Sequence, residues 1–166
     1  MEPADASLLP ARYHMFARAL EGAFVCLHEG HPSGEPRVVL ARHQDCPACR
    51  PKHRSLMQEL GVCRRCGAEY LVGSLSEAGH FRQASRTSQV SYVLLSGAHD
   101  EDADEQDEES GNAVPLWLCS GCGRVAEGQQ TSCDCPTGPG WRRVVLARPA
   151  KGQDVLRRCV ACGARS

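Results

Sequence analysis

Apolar residues fall in short bursts along this chain, separated by polar and turn-forming stretches. AFVCL (23–27), RVVLAR (37–42), EYLVGSL (69–75), SYVLLSG (91–97) and AVPLWLC (113–119) each have the length and flanking of a strand. One segment breaks that rhythm. ARYHMFARALEG (11–22) places Met15, Phe16, Ala19 and Leu20 at helical spacing and stops at Gly22, so a short helix is expected there. SLMQELGV (55–62) fits either a turn or two of helix or a strand leading into Cys63. HEGHPSGEP (28–36) is turn-forming, residues 74–89 carry no clear period, and residues 1–9 read as a disordered end.

The hexapeptide RVVLAR recurs at 143–148, and a CxAC pair follows each copy, Cys46-Cys49 and Cys159-Cys162. The spacers differ, three residues against ten. Two related β-rich halves are therefore expected, 1–97 and 114–166, joined by an acidic disordered loop at 98–113.

Composition decides what must hold such a chain together. Aromatic residues make up only 5% of the 166 positions, while Gly, Pro and Cys total 37. A loop-rich chain with so little aromatic filling needs staples. The eleven cysteines are an odd number, which a full disulfide framework would not leave. The N-terminal MEPADASLLPARYHMF lacks the pattern of a signal peptide, and no apolar run is long enough to span a membrane. A cytoplasmic, membrane-free setting follows as the expectation, where thiols stay reduced and clustered cysteines bind metal.

Cysteine spacing sharpens that expectation. CxxC occurs at Cys46-Cys49, Cys63-Cys66, Cys119-Cys122 and Cys159-Cys162, with a CxC at Cys133-Cys135 and Cys26 alone. Gly67, Gly123 and Gly163 follow three of the pairs directly. Two thiolates at this spacing grip one Zn²⁺ while turn amides face the sulfurs, and the chain leaves through a conformation glycine tolerates best. The fold expected is small, β-rich and zinc-stapled, with zinc-ribbon-like knuckles, few short helices and a long acidic loop. A thioredoxin-like redox pair would need CxxC at the head of a helix in a βαβ unit, which the strand pattern does not offer.

Eleven cysteines and one histidine would fill three tetrahedral sites, so two or three Zn²⁺ are expected. His28 or His31 supplies the twelfth ligand, and the spacing from Cys26 favours His31. The preferred partition is Cys119, Cys122, Cys133 and Cys135; then Cys26, His31, Cys46 and Cys49; then Cys63, Cys66, Cys159 and Cys162. A rival partition joins Cys46-Cys49 to Cys63-Cys66 as a compact ribbon, and spacing alone does not choose. Closed sites of this kind leave no open position for a catalytic water.

No phosphate loop, dinucleotide fingerprint, zincin helix, nucleophile elbow or deaminase pattern occurs, and His14, His43, His53, His80 and His99 lack partners at a meaningful spacing. No catalytic residue is assigned. The net charge of −1 conceals an uneven distribution, because DEDADEQDEE (100–109) holds eight of the twenty acidic residues. Elsewhere nineteen basic residues face twelve acidic ones, which suits a polyanion partner. Arg64, Arg65, Arg142 and Arg143 are candidate phosphate contacts.

LPARYHMFARALEGAFVC, CPAC and GVCRRCGAEYLVG together resemble the cysteine-rich region of large superfamily 2 DEAD/DEAH-box helicases, the Lhr-like and related bacterial enzymes. The resemblance runs through Arg12, His14, Phe16, Arg18, Leu20, Gly22 and Cys26, and CVACGARS is similar to the last knuckle of such regions. It implies a parent enzyme that moves along DNA with ATP, in repair or defence against foreign DNA. This chain has no motor motifs, so the resemblance implies a non-catalytic zinc module that supports the helicase motor domains of its parent polypeptide and contacts DNA. The alternative is a stand-alone zinc-ribbon adaptor that mediates protein–protein interaction.

Overall fold

The computed structural model describes residues 22–31, 37–49, 55–95, 113–129, 133–135 and 140–165. The helix expected at 11–22 and the acidic run at 100–109 lie outside them, apart from Gly22. No helix occurs among the described residues, and none is therefore long and apolar enough to cross a membrane.

Nine strands form among the described residues: β1 (Ala23–Cys26), β2 (Arg37–Val39), β3 (Gln58–Val62), β4 (Glu69–Leu75), β5 (Phe81–Arg82), β6 (Ser91–Leu94), β7 (Ala113–Cys119), β8 (Val125–Ala126) and β9 (Trp141–Ala147). The apolar bursts read from the sequence became strands, and the ambiguous 55–62 segment is extended from Gln58 onward. The sheet order is β2-β1-β3-β4-β6-β9-β7-β8, with β5 attached to β4, and every pairing is antiparallel. The sheet is continuous through β6 and β9, which come from either side of the acidic run.

Period-two alternation sorts the side chains onto two faces. One face collects Val25, Leu27, Leu71, Val93, Leu116, Leu118, Val144 and Leu146, with Phe81 packed on it. Register makes this cluster contiguous: Leu71 lies opposite Val93, Val93 opposite Leu146, and Leu116 opposite Val144. The sheet curls over this face, since residues far apart in strand order meet across it. Leu56 N–H donates to the Gly121 carbonyl at 3.1 Å, Phe81 N–H to Gly123 at 2.7 Å, and Arg142 reaches Glu29 at 2.9 Å. Gly73 makes room for Phe81, because a Cβ there would stand 2.3 Å from the Arg82 carbonyl and 2.8 Å from the ring.

The opposite face holds a smaller cluster of Phe24, Cys26, Cys46 and Met57. Farther along it, the C-terminal segment after β9 folds back across β4 and β6. There Tyr92 Oη donates to the Asp154 carbonyl at 2.8 Å, and Tyr70 meets Cys159 and Val160.

The two RVVLAR copies take different places. The first contributes edge strand β2 and leaves Val38 52% and Leu40 72% exposed. The second lies in inner strand β9, where the matching Val144 and Leu146 are 1% and 3% exposed.

Candidate metal centres

Three of the CxxC turns share one backbone construction. In each, the first cysteine's N–H donates to the carbonyl five residues on: Cys63 to Ala68, Cys119 to Arg124 and Cys159 to Ala164, at 2.8–2.9 Å. The glycine N–H returns to the first cysteine's carbonyl, from Gly67, Gly123 and Gly163, also at 2.8–2.9 Å. All three glycines have φ between 67° and 76°, a region side chains with a Cβ rarely adopt. The fourth pair, Cys46-Cys49, has no glycine after it. It sits instead on a ladder where Cys46 N–H donates to Ser55 at 2.8 Å and Met57 N–H to Gln44 at 3.0 Å.

The strands bring twelve ligand atoms into three sets, each within 4.8 Å of one another: Cys26, His31, Cys46 and Cys49; Cys63, Cys66, Cys159 and Cys162; and Cys119, Cys122, Cys133 and Cys135. Of the two partitions weighed from spacing, the structure forms this one and leaves Cys46-Cys49 apart from Cys63-Cys66. His31, not His28, faces the sulfurs; the His28 ring stands edge-on to it, 5.9 Å between centroids.

Distances test whether an ion fits. Four thiolates placed tetrahedrally at about 2.3 Å from one ion stand about 3.8 Å from one another. The sulfur pairs measured are Cys26–Cys49 at 3.8 Å, Cys63–Cys162 at 3.9 Å, Cys66–Cys159 at 3.8 Å, Cys119–Cys135 at 3.7 Å and Cys122–Cys133 at 3.6 Å. His31 Nε2 lies 3.4 Å from Cys46 Sγ and 3.5 Å from Cys49 Sγ, where a shorter metal–nitrogen bond would put it. Disulfides would need about 2.05 Å, and all eleven cysteines are free.

The centres differ in setting. In the first, Cys26, His31 and Cys46 are buried, and His31 Nδ1 is a buried atom with no hydrogen-bond partner among the described residues. The second joins the β3–β4 turn to the chain's last knuckle, and two of its four sulfur ligands, Cys66 and Cys162, belong to exposed residues. The third closes the end of β7, and its knuckle docks against β5. A Cβ at Gly123 would lie 2.2 Å from the Phe81 carbonyl.

Proton affinities follow setting and neighbours. Burial pushes the Cys26 and Cys122 thiols well up. Amides of Cys66 and Arg65 point at Cys63 and draw it down to about 6. Although the Ala68 amide favours a thiolate at Cys66, the crowding sulfurs of Cys162 and Cys63 push it up to about 12. Burial opposes ionisation of Cys46, yet the His31 contact and the turn amides bring it to about 7. The first and second centres thus each pair a strongly proton-holding thiol, Cys26 or Cys66, with a more readily ionised one, Cys46 or Cys63, and a divalent ion would displace the remaining protons.

The spacing of cysteines carried no hint of Tyr70. Its hydroxyl lies 3.0 Å from Cys159 Sγ and accepts the Val160 N–H at 3.0 Å. That contact lowers Cys159 against the opposing effect of burial. The arginines singled out by charge separate in space. Arg64 and Arg65 are exposed in the second centre's turn, Arg143 is exposed on β9, and Arg142 is ion-paired with Glu29.

No curated protein and no solved structure matches the chain. A family model described as the YjiV N-terminal domain matches residues 38–166, a span that takes in every ligand except Cys26 and His31. Since the match covers most of its length, the chain belongs to the YjiV N-terminal domain family.

Proposed function

We propose that this chain is a non-catalytic module that holds three structural zinc ions and works within a DNA helicase, bracing its motor and contacting DNA. The observation that carries the metal reading is the presence of three complete four-ligand sets at tetrahedral spacing. Thiolate and imidazole donors suit zinc, and the histidine in the first set disfavours a cluster that needs four thiolates. Four protein ligands per ion leave no position for a reacting water, so the zinc would act on folding and not on chemistry.

The helicase part rests on the sequence resemblance of residues 9–73, and the non-catalytic part on the absence of motor motifs from the sequence. Its DNA part rests on the arginine excess outside 100–109.

Elemental analysis of protein purified without added metal tests the first statement. Three zinc per chain, with no iron absorbance, is the expected result; one or none would end it. Immunoblotting source-cell extract with an antibody to this chain tests the second. A band far above 18.0 kDa agrees with a module of a larger machine. A band at 18.0 kDa replaces it with a free-standing adaptor.

A further inference from the structure

The second metal centre gathers arginines that are remote in sequence. Arg64 and Arg65 lie inside its first knuckle, while Arg157, Arg158 and Arg165 flank its second. Cys66–Cys159 and Cys63–Cys162 contacts, across 93 and 99 residues, bring the two groups to one place. Arg158 and Arg165 are also bridged backbone to backbone across the second knuckle. Arg64, Arg65, Arg157 and Arg165 are exposed.

These charges exceed what the centre needs for neutralisation. A divalent ion on four thiolates keeps two negative charges. Segments 62–69 and 151–165 supply six cations, the five arginines and Lys151, against two carboxylates, Glu69 and Asp154. An excess of two positive charges remains after the centre is counted. The other centres show no such excess. Around the first, segments 22–31 and 44–50 have Glu29 and Asp45 against Arg50. Around the third, segments 119–128 and 133–135 have Arg124 against Glu127 and Asp134.

Neither arginine-bearing segment contains an aromatic residue; Tyr70 is buried beneath the knuckle with its hydroxyl on Cys159, and the half-buried Tyr92 packs edge-on against it with its hydroxyl tied to the Asp154 carbonyl. Single strands are held largely by bases stacked on exposed aromatic rings, whereas duplexes are held by backbone phosphates.

We infer that the surface around the second metal centre, with Arg64, Arg65, Arg157, Arg158 and Arg165, binds the phosphate backbone of duplex DNA without reading its sequence. The inference rests on the DNA contact proposed above and gives that contact a place and a strand preference. Five phosphate contacts would give a log–log salt slope as steep as about −4.5.

The test uses the zinc-loaded full chain and a fluorescent random-sequence duplex, with affinity read by anisotropy from 50 to 200 mM salt. The R64Q/R65Q/R157Q triple variant is expected to bind at least tenfold more weakly, with a slope shallower by about 3. The R37Q/R86Q/R124Q variant, which removes the same charge from exposed arginines elsewhere, should stay within threefold of the parent. Unchanged zinc content and circular dichroism qualify both variants for comparison. Equal losses in both, or none in the first, would overturn the location while leaving DNA binding intact. Tighter binding to the single strand than to the duplex would overturn the strand preference. No binding to either by the parent at 50 mM salt would remove the DNA reading itself.

Discussion

Cys26 and Cys162 sit at opposite extremes of exposure, one sealed within β1 and the other on the surface at the chain's end. The first centre belongs to the apolar packing: its sulfurs share a cluster with Phe24 and Met57, and its ligands lie within 23 residues of one another. The second contributes little to packing but joins positions 93 and 99 residues apart. A buried centre substitutes for missing aromatic core, while a surface centre fixes where a distant segment goes. Their damage should therefore look different.

The largest effect tests both together. Removing all metal with a chelator at neutral pH should abolish the cooperative thermal transition, since bound structural zinc in small domains is worth about 10–16 kcal/mol. A chelated chain that kept its melting transition and near-ultraviolet dichroism would show that the apolar faces suffice.

Next come the single ligands. Cys26→Ser leaves a hydroxyl in a sealed apolar site and opens the first centre, at a cost on the order of 4 kcal/mol. Cys162→Ser should spare the sheet: amide exchange ought to speed up over 157–165 while β4 and β6 keep their protection. Equal loss of protection across the sheet in both variants would erase the distinction between the centres.

Glycine swaps carry the comparison into the knuckles. Gly67 and Gly123 have nearly the same φ, 76° and 75°, but a Cβ at Gly67 meets nothing within 4 Å, whereas one at Gly123 strikes the Phe81 carbonyl. Gly67→Ala should cost about 1 kcal/mol from backbone strain alone. Gly123→Ala should cost about 2 kcal/mol more, from a carbonyl that cannot move away cheaply. Denaturant melts read both, and similar values would mean the third knuckle is not held against β5.

Smallest is Tyr70→Phe, which takes the hydroxyl from Cys159 and Val160 and should cost about 1 kcal/mol. Zinc occupancy at the second centre should fall with it, read by competition with a colorimetric chelator. Unchanged occupancy would make Tyr70 a packing residue only.

Strands and knuckles were legible because their causes are local. EYLVGSL and AVPLWLC became β4 and β7 over the bounds their polarity sets, and CxxCG encodes its own turn through one glycine. Neighbours in space were only partly legible. RVVLAR reads alike at both occurrences, yet flanking strands bury Val144 and Leu146 and leave Val38 and Leu40 outside. Pairing of Cys63-Cys66 with Cys159-Cys162 belonged to the preferred partition, but spacing did not decide it against the rival, because it depends on β9 entering between β6 and β7. Tyr70 was hidden for the same reason, since its partners lie about 90 residues away.

The placement of β9 also constrains how the protein is made. β9, the last of these nine strands in chain order, takes an interior slot, so β6 and β7 present bare edges until residue 147 has emerged. Throughout that interval a near-copy of the missing strand, RVVLAR at 37–42, is already present in the nascent chain. Synthesis thus passes through a stage at which a wrong strand of the right sequence competes for the gap, and metal capture by Cys159 and Cys162 comes after it.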